Sequence, residues 1–361
     1  MADKDPLADI RQRIDEIDTA VQQLVSERAE CARKVAEVKR EQGNTSHFYR
    51  PEREAQVLRK VQQRNSGPLS DDAISGIFRE IMAVCLALEK PLKVAFLGPE
   101  GTYTHSAAVK HFGSQIESEP VASIEEVFRI VEAGGADFGV VPVENSSEGV
   151  INHTLDLFMK SSLTISGEAE LRIRHNLMTN AADTDAIDRV YAHQQTLAQC
   201  RLWLDTNLPN AERIAVRSNA EAVIMASEHD RTAAIAGTMA SELYDLPVMY
   251  ADIEDEPNNT TRFVVIGKYE SPPSGADRTS LLVFAHNKPG SLFSLLEPLA
   301  KRNISMSNIE SRPSRRGVWE YVFFIDIDGH RDDQNVADAI ADIDKASAMV
   351  TVLGSYPRAV L

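Results

Sequence analysis

Leu7, Ile10, Ile14, Ile17, Val21, Leu24, Arg28, Cys31, Val35 and Val38 follow one another at alternating spacings of three and four residues. That spacing is a heptad seam, and its length of about 32 residues predicts a single helix of about 50 Å. A small monomer cannot bury such a helix along its whole length, so the seam calls for a partner helix, with a second copy of the chain as the expected source. One position breaks the apolar rule: Arg28 stands where an aliphatic side chain is due. An unpaired buried cation is very costly, so this arginine should face an anion. Lys39 lies eleven residues further on, a rotation of only about 20°, and shares its face. Arg11 points about 100° away by the same arithmetic and fits a second, equivalent site across a dimer.

Pro51 is placed to open a second helix through Leu58 and Val61, and "SGPLSDD" announces a third from about Asp71 to Leu88. After "EKPLK" the hydrophobic period changes. "KVAFLG", "FGVVPV", "RVYAH", "RIAVRS", "AAIAG" and "RFVVIG" read as short apolar strands, mostly followed by helical stretches, which is an α/β pattern. The segment "SPPSGAD" reads as a linker. From Thr279 the order becomes strand, helix, strand, strand, helix, strand, the split arrangement of a small α+β, ferredoxin-like domain. The expected organisation is therefore multidomain: an all-α domain over 1–90, an α/β domain over 93–270 and an α+β domain over 278–356.

A length of 361 residues suits two or three domains. With 54 acidic against 38 basic residues and a net charge of -16, nucleic acid and anionic membrane surfaces are poor candidates for the main partner. There is no apolar run of about 18 residues, no signal-peptide pattern at the N-terminus, and no metal spacing or disulfide framework among Cys31, Cys85 and Cys200. The expectation is a soluble cytoplasmic protein needing no metal or cofactor. In "VVPVENSSEG", Glu144, Asn145, Ser146 and Ser147 crowd behind a buried strand. Strand ends that open onto loops are where α/β proteins place ligands, although Asn and Ser also favour turns for local reasons.

"LADIRQRIDEIDTAVQQLVSERAECARKVAEVK" with "YRPEREAQVL" resembles the all-helical chorismate mutase family. The resemblance implies a domain-swapped dimer that holds a dianionic substrate, with Arg11, Arg28, Lys39 and Arg53 on its carboxylates and ether oxygen and Glu54 receiving a hydroxyl. Cys85 stands where a small hydroxyl residue is common, and Glu89 where a glutamine often faces the ether oxygen. "GPEGTYTH", "VPVENSSEG", "GEAELRIRHNL", "AHQQTLAQC" and "NTTRFVVIG", five motifs in order, resemble the prephenate dehydratase family. This implies two α/β lobes like those of a periplasmic binding protein. Thr102, Asn145, Ser146, His193 and Gln199 would then line the cleft, with Thr261 near the departing hydroxyl and Arg262 as a carboxylate clamp. His105 and His175 are read as structural. Ala192 stands where the family usually has serine.

"KPGSLFSLL" and "IESRPS" resemble the amino-acid-sensing ACT domain. The resemblance implies L-phenylalanine as allosteric inhibitor, held by Gly290, Ser291 and Leu292 at a strand-to-helix turn and by Glu310, Ser311, Arg312 and Pro313 at the next strand's end. Together the three resemblances imply an enzyme that converts chorismate through prephenate to phenylpyruvate. A non-catalytic phenylalanine sensor and an arogenate-specific enzyme are the alternatives.

Overall fold

The computed structural model describes residues 6–41, 49–286, 288–313 and 321–360. The N-terminal region is helical: α1 (Pro6–Glu41), α2 (Pro51–Arg64) and α3 (Asp71–Ala87). Pro51 occupies the first turn of α2, and the Ser70 hydroxyl caps α3 by accepting from the Ala73 amide, each the residue type that a helix start favours. In α1, Ala36 is buried and Ala29 and Ala32 are half-buried, whereas the seam lies open, with Leu7 60% and Leu24 64% exposed. The 36-residue helix therefore packs on its own chain through small residues and leaves its large apolar stripe uncovered.

The α/β region contains two sheets. The first lobe is built from β1 (Lys93–Leu97), α4 (Tyr103–Phe112), β2 (Glu117–Val121), α5 (Ile124–Glu132), β3 (Phe138–Asn145), β4 (Gly149–Val150), α6 (Asn152–Phe158) and β5 (Thr164–Arg172). The second holds β6 (Asn176–Met178), β7 (Arg189–His193), α7 (Gln194–Gln199), α8 (Arg201–Asn207), β8 (Glu212–Val216), α9 (Asn219–Glu228), β9 (Thr232–Ala236), α10 (Thr238–Tyr244) and β10 (Val248–Tyr250). The chain then returns to the first sheet as β11 (Thr260–Gly267), giving the order β2-β1-β3-β11-β5 beside the second lobe's β10-β6-β9-β7-β8. Two segments thus link the lobes, and the cleft between them is the natural ligand site of such a fold.

The last region follows the expected order: β12 (Asp277–Phe284), α11 (Ser291–Lys301), β13 (Met306–Pro313), β14 (Tyr321–Asp328), α12 (Gln334–Ala346) and β15 (Met349–Pro357), with sheet order β13-β14-β12-β15. One apolar core joins it to the first lobe, in which Leu282, Phe324 and Tyr356 pack with Val264, Ile266 and Phe158. A Cβ at Gly354 would lie 2.1 Å from the Ile165 carbonyl oxygen. Only glycine lets β15 come this close to β5.

Candidate active sites and their control region

The interlobe cleft has a volume of about 790 Å³. Its walls are the loops that leave the carboxyl ends of β1, β3, β7, β8 and β9. Helices α4, α7, α9 and α10 begin at those loops, capped by Thr102, His193, Ser218 and Gly237. Converging helix N-termini offer amide donors and positive potential to an anionic ligand. Thr102, Asn145, His193, Gln199 and Thr261 all line this one space.

Thr261 and Asn145 face each other in the antiparallel register of β11 and β3. The Asn145 side-chain oxygen accepts from the backbone amides of Ser147 (3.0 Å) and Glu148 (3.1 Å). Those donors fix the amide's orientation, so its nitrogen must donate, and it does so to Asn259 Oδ1 and Thr261 Oγ1, both at 2.8 Å. A hydroxyl whose lone pair is occupied by a donor keeps its own proton for another acceptor. The polar turn of "VENSSEG" therefore orients the Thr261 hydroxyl. Beside it β11 carries a bulge between Arg262 and Phe263 against β3, a distortion common next to active sites.

A hydrogen-bonded chain missed in the sequence crosses the cleft. Glu148 accepts from Gln199 Nε2 (3.1 Å), whose oxygen meets His175 Nε2 at 2.7 Å, while His175 Nδ1 lies 2.7 Å from the Tyr103 hydroxyl. Burial holds the His175 pKa below its ordinary value, which favours the neutral ring. Gln199, whose nitrogen is engaged by Glu148, offers its oxygen to Nε2–H, and the Tyr103 hydroxyl beside Nδ1 is shared with the Arg174 carbonyl at 2.7 Å. Tyr103 lay within the quoted "GPEGTYTH", but its partner comes from a distant segment. His105 is structural, stacked on Phe96 with ring centroids 4.5 Å apart.

Two expected cleft residues lie elsewhere. Ser146 is exposed and bonds the β11 entrance, accepting from the Thr260 amide at 2.9 Å. Arg262 is not a carboxylate clamp in the cleft. Its neighbours Thr261 and Phe263 face the cleft, whereas alternation along the strand sends Arg262 through the opposite face. There it pairs with Glu168 (3.0 Å) and Asp326 (2.6 Å) and donates to the Tyr356 hydroxyl (2.9 Å). Burial opposes its charge, but Tyr356, Asp326 and Glu168 outweigh burial and raise its pKa.

In the helical region, Arg28 reaches the Ile81 carbonyl on α3 at 3.5 Å, Cys85 is buried on the same helix, and Lys39 acts electrostatically on Glu89. Arg11 and Arg53 are exposed. Glu54 does not join this group. It meets Arg79 at 3.7 Å, and Arg79 is two residues, about 200° of helix, from Ile81. Glu54 instead lines a seam with Tyr49, His111, Glu168 and the 357–360 segment, where Arg79 donates to the Val360 carbonyl at 3.2 Å.

Burial pushes the Glu54 carboxyl up to about 7, against the pull of Arg79. A folded pKa above the unfolded one gives stability that is whole below about 4.5 and is lost as pH rises through about 7. The loss is at most about 3 kcal/mol. Urea unfolding of Glu54→Gln should match the parent at pH 5 and exceed it at pH 8; an equal decline in both proteins would remove Glu54 as the cause.

Gly290 adopts φ 82° at the start of α11, Ser291 bonds back to the His286 and Lys288 carbonyls, and Leu292 is exposed. Glu310, Ser311, Arg312 and Pro313 end β13. Arg312 turns away toward the first lobe, donating to Asn152 and, at 2.8 Å, to Asp156.

A helical unit, a two-lobed α/β unit with a ligand-sized cleft and a ferredoxin-like sheet define a multidomain enzyme with an attached control domain. The chain matches the family models "Chorismate mutase type II" over residues 10–90, "Prephenate dehydratase" over 94–271 and "ACT domain" over 279–345. It is 52% identical to a bifunctional chorismate mutase/prephenate dehydratase of Pseudomonas aeruginosa, with 100% of both chains covered. A crystal structure of prephenate dehydratase in complex with L-Phe from Arthrobacter aurescens superimposes with a TM-score of 0.68 at 35% identity, covering 74% of this chain and 90% of that one. A structure of GqqA, described as a quorum quenching acylase, also gives 0.68, at 26% identity and 74% and 98% coverage. The chain belongs to the bifunctional chorismate mutase/prephenate dehydratase family.

Proposed function

We propose that the chain rearranges chorismate to prephenate in its helical region and converts prephenate to phenylpyruvate in the interlobe cleft. The observation that carries this reading is the Asn145 to Thr261 hydrogen bond, which leaves the threonine proton directed to a ligand. In the dehydratase step the carbon–carbon bond to the ring carboxylate breaks, carbon dioxide leaves, and the released pair aromatises the ring as the hydroxyl departs. One proton is consumed and water forms. Thr261 supports the departing oxygen by hydrogen bonding, since a threonine is too weak an acid at pH 7 to serve as an isolated proton source. The helix N-termini around the cleft receive the carboxylates. The fold shared with an acylase does not transfer that chemistry, and the donor arrangement at Thr261 suits a leaving hydroxyl. Incubating purified protein with chorismate should give prephenate and then phenylpyruvate. Failure to convert added prephenate would end this reading, and faster turnover of arogenate would shift the substrate.

The mutase reaction is a one-step bond exchange, for which orientation and fixed charge suffice. Arg28, Lys39 and Glu89 form the part of the site contributed by one chain, and Arg11 and Arg53 complete it. A homodimer paired along the open α1 stripe supplies the second wall, so Ile17→Asp should give a monomer by light scattering and lower mutase activity at least tenfold. A variant still dimeric through α1 and fully active would count against the pairing. Burial raises the Glu89 pKa against Lys39 and Arg40, and only the protonated carboxyl can donate to an ether oxygen. Mutase turnover should therefore fall as pH rises through that pKa, while Glu89→Gln should run flat. An unchanged profile in the Gln variant would take Glu89 out of the mechanism.

L-Phenylalanine is the proposed inhibitor, bound at Gly290, Ser291 and Leu292 with Glu310, Ser311 and Pro313 close by. The left-handed glycine ahead of α11 leaves the helix amides open to a carboxylate. Three free cysteines suit a reducing cytoplasm.

A further inference from the structure

Two largely enclosed arginines tie the control sheet to the catalytic pair, one directly at β11 and one through α6, which follows the β4 strand paired with β3. Arg262 follows Thr261 directly on β11 and emerges on the far face, where Asp326 of β14 and Tyr356 of β15 hold it together with Glu168 of β5. Arg278 of β12 binds the same Glu168 carboxylate. The second contact runs the other way. Arg312, from the β13 end that would adjoin the amino-acid pocket, holds Asn152 and Asp156 of α6. That helix begins right after β4, the strand paired with Glu144 and Asn145. Arg262 and Arg312 are 12% and 16% exposed, and Asp326 and Asp156 are 12% and 17% exposed.

The geometry points to Arg262 and Arg312 as positioning residues that couple occupancy of the control domain to the Asn145 to Thr261 contact. Each is desolvated and charge-paired, so each resists gradual stretching: a shift of the control sheet either carries the strand along or breaks the pair. Arg262 sits on one of the two strands whose facing residues share the 2.8 Å hydrogen bond, and Arg312 reaches the other, β3, through α6 and the β4 strand paired with it. Moving β14 and β13 relative to the first lobe therefore changes the aim of the Thr261 hydroxyl with no ligand entering the cleft. An effector that favours one sheet position acts only through its differential affinity for the two positions. This inference rests on the proposed phenylalanine control.

Asp156 and Asp326 lie outside the cleft lining and outside the residues proposed for the amino acid. Full-length Asp156→Asn and Asp326→Asn, with Tyr356→Phe as a milder third variant, should keep dehydratase kcat/KM without effector within about threefold of the parent. By calorimetry each should bind L-phenylalanine within about threefold of the parent's Kd. The factor by which saturating phenylalanine lowers kcat/KM should shrink at least fivefold, within the usual range of coupling between sites. Undiminished inhibition in folded variants overturns the coupling role. So does a loss of inhibition that merely follows lost binding, or a fall in basal rate with the inhibition factor kept. A parent enzyme that neither binds nor responds to phenylalanine would instead overturn the control reading itself.

Discussion

Thr261→Ala is expected to lower prephenate turnover about 10²–10³-fold, the usual result of losing one preorganised donor in a closed site. KM should change little, because the donor acts on the departing hydroxyl rather than on the carboxylates. Asn145→Ala should reproduce much of this loss with Thr261 still in place. Without the amide donor, the threonine hydroxyl is free to turn its proton toward Asn259 Oδ1, which the amide now occupies. The double variant should then be no worse than the worse single one, since residues acting as one unit are not additive. Additive losses would show that Asn145 acts on the substrate independently. Chorismate rearrangement should continue in all three proteins, because Thr261 lies in the cleft and Arg28 on α1.

Arg28→Ala should have the opposite selectivity. Removing a fixed cation from a rearrangement whose transition state separates charge at the ether oxygen should cost about 10²–10³-fold in mutase kcat. Prephenate turnover should stay within about twofold. Arg28→Lys should recover only part of the loss, since an ammonium cannot reproduce a planar fork of donors. Loss of both activities in a protein with unchanged far-ultraviolet dichroism would refute the separation of the two sites.

The helical and ferredoxin-like regions were legible because their periods are regular. Heptad spacing predicts α1, and the order strand, helix, strand, strand, helix, strand from Thr279 is the order of β12 through β15. The polar strands were harder. "ESEPV" forms β2 with few apolar residues, at the edge of its sheet. In "TISGEAELR", Glu168 is 3% exposed, and its burial follows from two arginines whose positions no local pattern reveals. At the cleft, five expected residues meet in one space because strand ends in this topology converge. Arg262 was misplaced although a signal was available: a strand alternates, so two consecutive residues cannot both face the cleft. Glu54 lies apart from Arg28 within one chain, because its neighbours Arg79, His111 and Glu168 come from the domain junction, which no local pattern reveals. The contact between Tyr103 and His175 joins segments 72 residues apart, which sequence spacing cannot foretell.

Thr261, Arg262 and Phe263 put the proposed hydrogen-bond donor, a contact to the last sheet and an apolar wall on three successive residues of one strand. Such a strand can be edited by substitution but not by length. Inserting or deleting a single residue within β11 would turn the side chains on one side of the change to the other face, so that the hydroxyl, the arginine and the apolar wall could no longer all keep their places. Families built on this plan should therefore vary freely in loop length on either side of β11 while keeping its residue count fixed, and an enzyme that discards the control domain should still be bound to the same spacing by the wall and the hydroxyl.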